Sequence, residues 1–324
     1  MRIIYMGTPE FAAIALAAIV KEHEVVAVVT QPDKPQGRNR KLVPTPVKVK
    51  AQEYAIPVYQ PEKVREAEMV ETLRSYKPDA IVVAAYGQIL PESILSIPPY
   101  GCINIHASLL PKYRGAAPIE RAIIDGETVT GVTTMYMEKG LDTGDMIDKV
   151  EVVITPEDTG ATLHDKLAVA GASLILETLM KLENHTATRT KQDDTQSCYA
   201  SMLSKEMGQM DFSKPAEKLE RLIRGLNPWP CAYTQIDGKN VKIYKAKVIT
   251  MDAAYKAQAQ AKVEQTLAFA PGEIVEVVKK YFVIACGTDA LQIQNLQPEG
   301  KKPMDAAAYL NGNPLKAGMY VNQD

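Results

Sequence analysis

Cysteine is scarce in this chain: four residues in 324, with no Cys-x-x-Cys pair. Cys102, Cys198, Cys231 and Cys286 lie far apart, a spacing that argues against a zinc site or a disulfide framework and for reduced thiols in the cytoplasm. Long apolar runs are missing too. No stretch approaches the ~18 continuous apolar residues of a membrane span, so no membrane partner is expected. The opening MRIIYMG is too short for a signal-peptide core. A dominant charge sign is also lacking. The net charge of −2 excludes a globally basic nucleic-acid binder but leaves room for a local patch. YMGTPEF offers only Gly7 where a dinucleotide fingerprint needs three glycines, so NAD and FAD are not expected. No Walker lysine, GxSxG elbow or His/Cys metal cluster occurs, and no metal is expected. Of the four histidines, His23, His164 and His185 lie in or beside helical segments without polar company and read as surface residues.

What is present begins with alternation. RIIYMG, EVVAVVT, DAIVVAAYG, CINIHA, GVTTMYM and DKVEVVI read as strands, with helices such as PEFAAIALAAIVKE and VREAEMVETLRSY between the earlier ones. Continuous apolar runs suit strands covered on both faces. The expectation is an α/β fold, a doubly wound and mostly parallel Rossmann-like sheet, over residues 1–186. Residues 187–204 turn polar and irregular and read as a linker. Beyond it KPAEKLERLIRG reads as a helix, followed by five short strands without helices between them. Those predict a small antiparallel β-barrel, OB-like, over 205–314, with a hairpin turn at Asp237-Gly238. Residues 315–324 form a tail with no assigned role. This division predicts that residues 1–204 fold alone.

The chemistry-bearing residues cluster in GCINIHASLLPKYRGAAP, residues 101–118. In a strand, residues two apart share a face, so Asn104, His106 and Ser108 point one way and Ile103 and Ile105 the other. They stand at the strand's C-terminal end, where open α/β sheets place ligands. A histidine can move protons near neutral pH, and an asparagine can donate to a developing oxyanion. In GLDTGD, residues 140–145, two glycines set Asp142 at a loop tip, where a carboxylate could orient His106. Either Asn104 or His106 alone is more often structural; both on one face make the two readings even.

Together these segments, Asn104-Ile-His106, Ser108-Leu-Leu-Pro111, Arg114-Gly-Ala-Ala-Pro118 and Gly140-Leu-Asp142-Thr-Gly-Asp145, resemble the formyltetrahydrofolate-dependent formyltransferases. GTPEF, the loop QPDKPQGRNRKLVPTPVK and the C-terminal barrel narrow the resemblance to the branch that acts on initiator methionyl-tRNA. It covers nearly the whole chain, from Arg2 to about Gly312. The resemblance implies a one-carbon transferase of translation initiation that moves a formyl group from 10-formyltetrahydrofolate to the α-amino group of the esterified methionine. It implies Asn104, His106 and Asp142 as catalytic residues. It places the pterin against Gln88, Ile89, Leu90, Ser108, Leu109, Leu110 and Pro111 and the LDTGD loop, and implies a cytoplasmic enzyme, expected as a monomer.

Residues 34–50 hold six basic residues and no acidic one. By composition alone such a run is as much solvated surface as binding site. With the resemblance, Arg38, Arg40 and Lys41 are expected to bind tRNA phosphates, and Lys239, Lys242, Lys245 and Lys247 to extend the track on the net-positive second half. The competing readings are a formyltransferase for another amine, such as an amino sugar nucleotide or purine precursor, and a non-catalytic RNA-binding protein. The first does not need the basic loop and basic barrel; the second does not need Asn104, His106 and Asp142 together.

Overall fold

RIIYMG forms β1 (Arg2–Gly7), and Ile3, Ile4, Tyr5 and Met6 are all fully buried because both faces of the strand are covered. The computed structural model describes residues 1–36, 41–261 and 269–322. After β1 come α1 (Glu10–Glu22) and β2 (Glu24–Val29), then a basic ribbon of β3 (Lys34–Gln36) and β4 (Lys41–Val43). α2 (Pro46–Glu53) follows, started by Pro46 and capped by the Thr45 hydroxyl, which accepts from the Lys48 N–H at 3.1 Å. β5 (Val58–Tyr59), α3 (Ala67–Ser75), β6 (Ala80–Ala84), α4 (Glu92–Leu95) and β7 (Cys102–His106) continue the alternation. Next come β8 (Arg114–Gly115), α5 (Pro118–Asp125), β9 (Val129–Tyr136), β10 (Met146–Val153), α6 (Gly160–Glu183) and β11 (Tyr199–Ala200).

The main sheet runs β10-β9-β7-β6-β1-β2-β5. β5, β2, β1, β6 and β7 are parallel; β9 and β10 add an antiparallel edge. One face carries Ile4, Met6, Ile81 and Val83, packed in one core with Val70 and Leu73 of α3. On the other face the Tyr5 hydroxyl donates to the Ala12 carbonyl of α1 at 2.6 Å, and Gly171 of α6 sits against Ile105, Val132 and Phe11. The doubly wound, mostly parallel expectation is met. No described helix is long and apolar enough to cross a membrane.

The polar stretch read as a linker has another place. Thr190 exchanges backbone hydrogen bonds with Met146 at 2.9 Å, Gln192 is buried, and β11 pairs in parallel with β8. Residues up to Ser201 therefore belong to the first unit. Their polarity serves hydrogen bonds to loop backbone, which composition alone cannot distinguish from solvation.

The second unit combines residues 119–128, 155–162 and 202–324. Its elements are α5 with α7 (Ala216–Gly225), β12 (Ala232–Ile236), β13 (Lys239–Ile249), α8 (Ala253–Ala261), β14 (Ile274–Val278), β15 (Tyr281–Ala285), β16 (Ala290–Pro298), β17 (Met304–Asp305) and α9 (Ala306–Gly312). The antiparallel sheet runs β12-β13-β16-β15-β14, with β17 beside β16. Among the described residues β12 and β14 end the sheet rather than pairing, so the barrel-like sheet stays open. Asp237 and Gly238, both at positive φ, make the expected hairpin turn. The tail has a role after all. Leu315 and Val321 enter the core with Phe282, Ile284 and Leu291, and Asn322 accepts from the Thr234 hydroxyl and the Gln235 N–H at 2.9 Å each.

Candidate active site

β7 places Asn104 and His106 on one face, both buried, with β6 on one side and β9 on the other. Asp142 comes to them from the β9–β10 loop. Its Oδ1 lies 3.4 Å from Asn104 Nδ2 and its Oδ2 lies 3.7 Å from His106 Nδ1. The Gly115 N–H donates to the same Oδ2 at 2.9 Å. One carboxylate is thus the hub of the site. The three residues singled out in the sequence are brought together.

The histidine is fixed from its other edge. His106 Nε2 lies 2.9 Å from the Tyr113 carbonyl oxygen. A carbonyl only accepts, so Nε2 carries the proton and donates there. Nδ1 is left facing Asp142, ready to share a proton with it. Both flanking groups come from residues in the left-handed region, Tyr113 at φ 61° and Asp142 at φ 53°. For non-glycine residues that conformation costs about 1–2 kcal/mol each. The fold stores strain on both sides of the imidazole.

Several residues without a sequence signal hold this strained loop. Gln192 Nε2 donates to the carbonyls of Asp142 and Gly144 at 2.8 Å each, while its Oε1 accepts from Arg114 Nε at 2.9 Å. Arg114 in turn reaches Asp194 at 2.7 Å. Gly144 must be glycine because a Cβ would fall 1.9 Å from the Tyr136 carbonyl oxygen. Arg114 stood in a quoted motif, but nothing in the sequence linked it to Gln192, 78 positions later.

The two expected folate turns differ. In the turn after β7, Ser108 donates to the Lys112 carbonyl at 2.7 Å, and Thr133 Oγ1 both donates to the Ser108 carbonyl and accepts from the Leu110 N–H. The Lys149 ammonium donates to the Leu110 carbonyl, and its partial burial lowers its pKa. Leu109 lies over Gly131, Leu110 packs with Met135 and Met146, and Pro111 follows a cis bond. In the turn after β6, Gln88 uses its side chain internally, accepting from the Val64 N–H at 2.8 Å and donating to the Pro61 carbonyl at 3.1 Å. Leu90 is buried and Ile89 is 85% exposed. Among the described residues the N–H groups of Gly87, Gln88 and Ile89 have no protein acceptor.

Toward β1 and β2, the Thr8 hydroxyl and Gln31 amide donate to the Tyr86 carbonyl at 3.0 and 3.2 Å. Asp33 accepts from Lys48 at 2.6 Å and Gln60 at 2.7 Å, contacts that lower its pKa. This network roots the basic ribbon. Lys41 is exposed on β4; Arg38 and Arg40 lie outside the described residues. In the second unit Lys239, Lys242, Lys245 and Lys247 are exposed along β13.

Comparison with known proteins bears on this geometry. The Formyl transferase family profile matches residues 1–179, and its C-terminal domain profile matches 202–314. A methionyl-tRNA formyltransferase of Lachnospira eligens is 52% identical over 324 residues, covering 100% of both chains. One of Geobacter metallireducens is 49% identical over 320 residues, covering 98% of each. Among solved structures, a sugar 3N-formyl transferase determined in the presence of dTDP and 5-N-formyl-THF aligns with a TM-score of 0.64. It is 20% identical and covers 93% of this chain and 99% of its own. HypX from Aquifex aeolicus in complex with tetrahydrofolic acid aligns at 0.62 and 17% identity, over 100% of this chain and 51% of its own. With both profiles matched in order and full-length identity near one half, the chain belongs to the formyl transferase family, among the methionyl-tRNA formyltransferases.

Proposed function

We propose that Asn104, His106 and Asp142 carry the transfer of a formyl group to the α-amino group of methionine on initiator methionyl-tRNA. The chain is a transferase of this kind by family. The single observation that carries the residue assignment is the shared carboxylate: Asp142 faces Asn104 at 3.4 Å and His106 at 3.7 Å. An attacking amine must be neutral, and its pKa of roughly 7.7–8 is lowered further by the ester beside it. The proton it releases has a path to the Asp142–His106 pair, because His106 Nδ1 is the imidazole nitrogen left over by the Tyr113 carbonyl. Asn104 has a second amide N–H with no partner among the described residues, placed to donate to an oxygen that gains charge.

The residues fit a folate. The open N–H groups of Gly87, Gln88 and Ile89 suit the edge of a flat heterocycle, and exposed Ile89 supplies an apolar contact. 10-Formyltetrahydrofolate supplies the formyl group when bound. Ser108, Leu109, Leu110 and Pro111 border the same site and serve mainly to fix its floor. Arg38, Arg40 and Lys41 hold tRNA phosphates, and Lys239, Lys242, Lys245 and Lys247 extend that contact. The enzyme acts in the cytoplasm as a monomer.

The test offers the purified chain 10-formyltetrahydrofolate with charged initiator tRNA or with an amino sugar nucleotide. Formylation of the tRNA alone is expected. Preferential formylation of the sugar nucleotide would overturn the reading.

A further inference from the structure

Tyr199 is 66% exposed, yet its ring is braced. β11 pairs with β8 so that Tyr199 lies opposite Arg114 and Ala200 opposite Gly115. Ala200 is fully buried, which turns Tyr199 outward. Gly115 has φ 116°, and a Cβ there would fall 2.7 Å from the Ala200 carbonyl oxygen and 2.8 Å from the Tyr199 ring. The ring therefore rests on bare glycine backbone. That same glycine gives its N–H to Asp142 Oδ2 at 2.9 Å. One residue separates an exposed aromatic ring from the carboxylate of the site. The Tyr199 hydroxyl has no partner among the described residues.

We propose that Tyr199 is a stacking platform for the unpaired terminal adenine of the tRNA acceptor end. The inference rests on the reading of methionyl-tRNA as substrate and of Asp142 as the group facing the amine. The amine and the terminal base are joined through only an ester and one ribose. An amine at Asp142 thus brings the base close to whatever flanks that carboxylate. Unpaired bases are held chiefly by stacking on aromatic faces, with no need for base-edge readout. Tyrosine suits this because it has few rotatable bonds to immobilise, and the glycine contact has already restricted them. The folate ring is the other flat system in the reaction. Its open backbone donors lie in the turn after β6, whereas Tyr199 stands on the Gly115 side of Asp142.

The experiment measures binding of uncharged initiator tRNA, intact and lacking its terminal adenosine, to the full-length enzyme and to Tyr199→Leu and Tyr199→Phe. The parent should bind intact tRNA about tenfold more tightly than truncated tRNA. Tyr199→Leu should bind both alike, at the parent's affinity for the truncated form. Tyr199→Phe should keep the parent's ratio. An unchanged ratio in Tyr199→Leu would overturn the proposal. So would a raised KM for 10-formyltetrahydrofolate with the tRNA ratio kept, which would give the ring to the folate. Equal weakening toward both tRNAs with a lowered melting temperature would make the ring structural, and also overturns it. A parent that formylates no tRNA would instead sink the underlying function.

Discussion

The turns after β6 and β7 begin from neighbouring parallel strands, yet they handle their polar groups in opposite ways. After β7 the Ser108 hydroxyl and the carbonyls of Ser108 and Leu110 have protein partners, and so does the Leu110 N–H. After β6 the N–H groups of Gly87, Gln88 and Ile89 have none among the described residues. The contrast separates two tasks. A saturated turn resists displacement and suits the support of His106, where misplacement of a reacting group is costly. An unsaturated turn retains donors for a ligand and suits recognition. Changes on the saturated side should therefore act on kcat, and changes on the open side on KM.

The largest effect expected is at Asn104. Asn104→Ala should lower turnover by about 10²–10³, with little change in folate KM, measured as steady-state formylation of charged tRNA. Normal turnover in the folded variant would move the oxyanion donor elsewhere. His106→Ala and Asp142→Asn come next. Each should be severe, and the double variant clearly less than additive, since the proposed proton path passes through both. Additive losses would show two independent groups. Gln192→Leu should reduce kcat by about tenfold through release of the Asp142 loop, while Gln192→Glu, which keeps an acceptor for Arg114 but loses both donors, should do the same. If KM rises and kcat holds, the division between support and recognition fails at this residue.

On the recognition side effects should be smaller. Replacing Arg38, Arg40 and Lys41 with Ala should weaken tRNA and leave the folate KM nearly unchanged. Each lost phosphate contact should flatten the slope of log affinity against log salt by about 0.7–0.9. An unaltered slope would return these cations to ordinary surface. The smallest change expected is at Tyr86, in the open turn. Its hydroxyl is buried without a partner among the described residues, and burial raises the phenol pKa to about 12. Tyr86→Phe should raise stability by about 1 kcal/mol in denaturant unfolding, since it removes an unmet polar group. Lost stability would show that the hydroxyl is satisfied in solution.

The residues readable in the sequence were those whose side chains carry their own periodicity or chemistry. Asn104 and His106 follow from the two-residue repeat of a strand, and Asp142 from the glycines around it. β1 and β6 follow from unbroken apolar runs. What stayed hidden acts through the backbone or over long separations. The Tyr113 carbonyl and the Gly115 N–H exist at every residue and become specific only through folded geometry. Gln192 sits in a polar run indistinguishable from a linker until its donors meet Asp142 and Gly144. Ser108 and Gln88 were placed in the folate site by resemblance, but their side chains bind their own protein, a distinction visible only in hydrogen-bond partners. The tail was silent because its few apolar residues, Leu315, Met319 and Val321 among them, form no regular pattern.

The second unit's discontinuous make-up bears on how the chain can fold as it is made. Ile124 of α5 lies so close to Gly225 that a Cβ there would fall 2.6 Å from its Cγ1, and Arg224 donates to the Asp158 carbonyl at 2.8 Å. The partners of α5 and of residues 155–162 thus leave the ribosome much later. At ~5–20 residues per second, α7 follows α5 by roughly 5–20 s. Ile124 and the Asp158 carbonyl wait for Gly225 and Arg224 over that interval. A chain stopped at residue 204 would leave them waiting permanently. Such a fragment is a snapshot of unfinished synthesis, carrying α5 and residues 155–162 without the α7 they meet in the full chain.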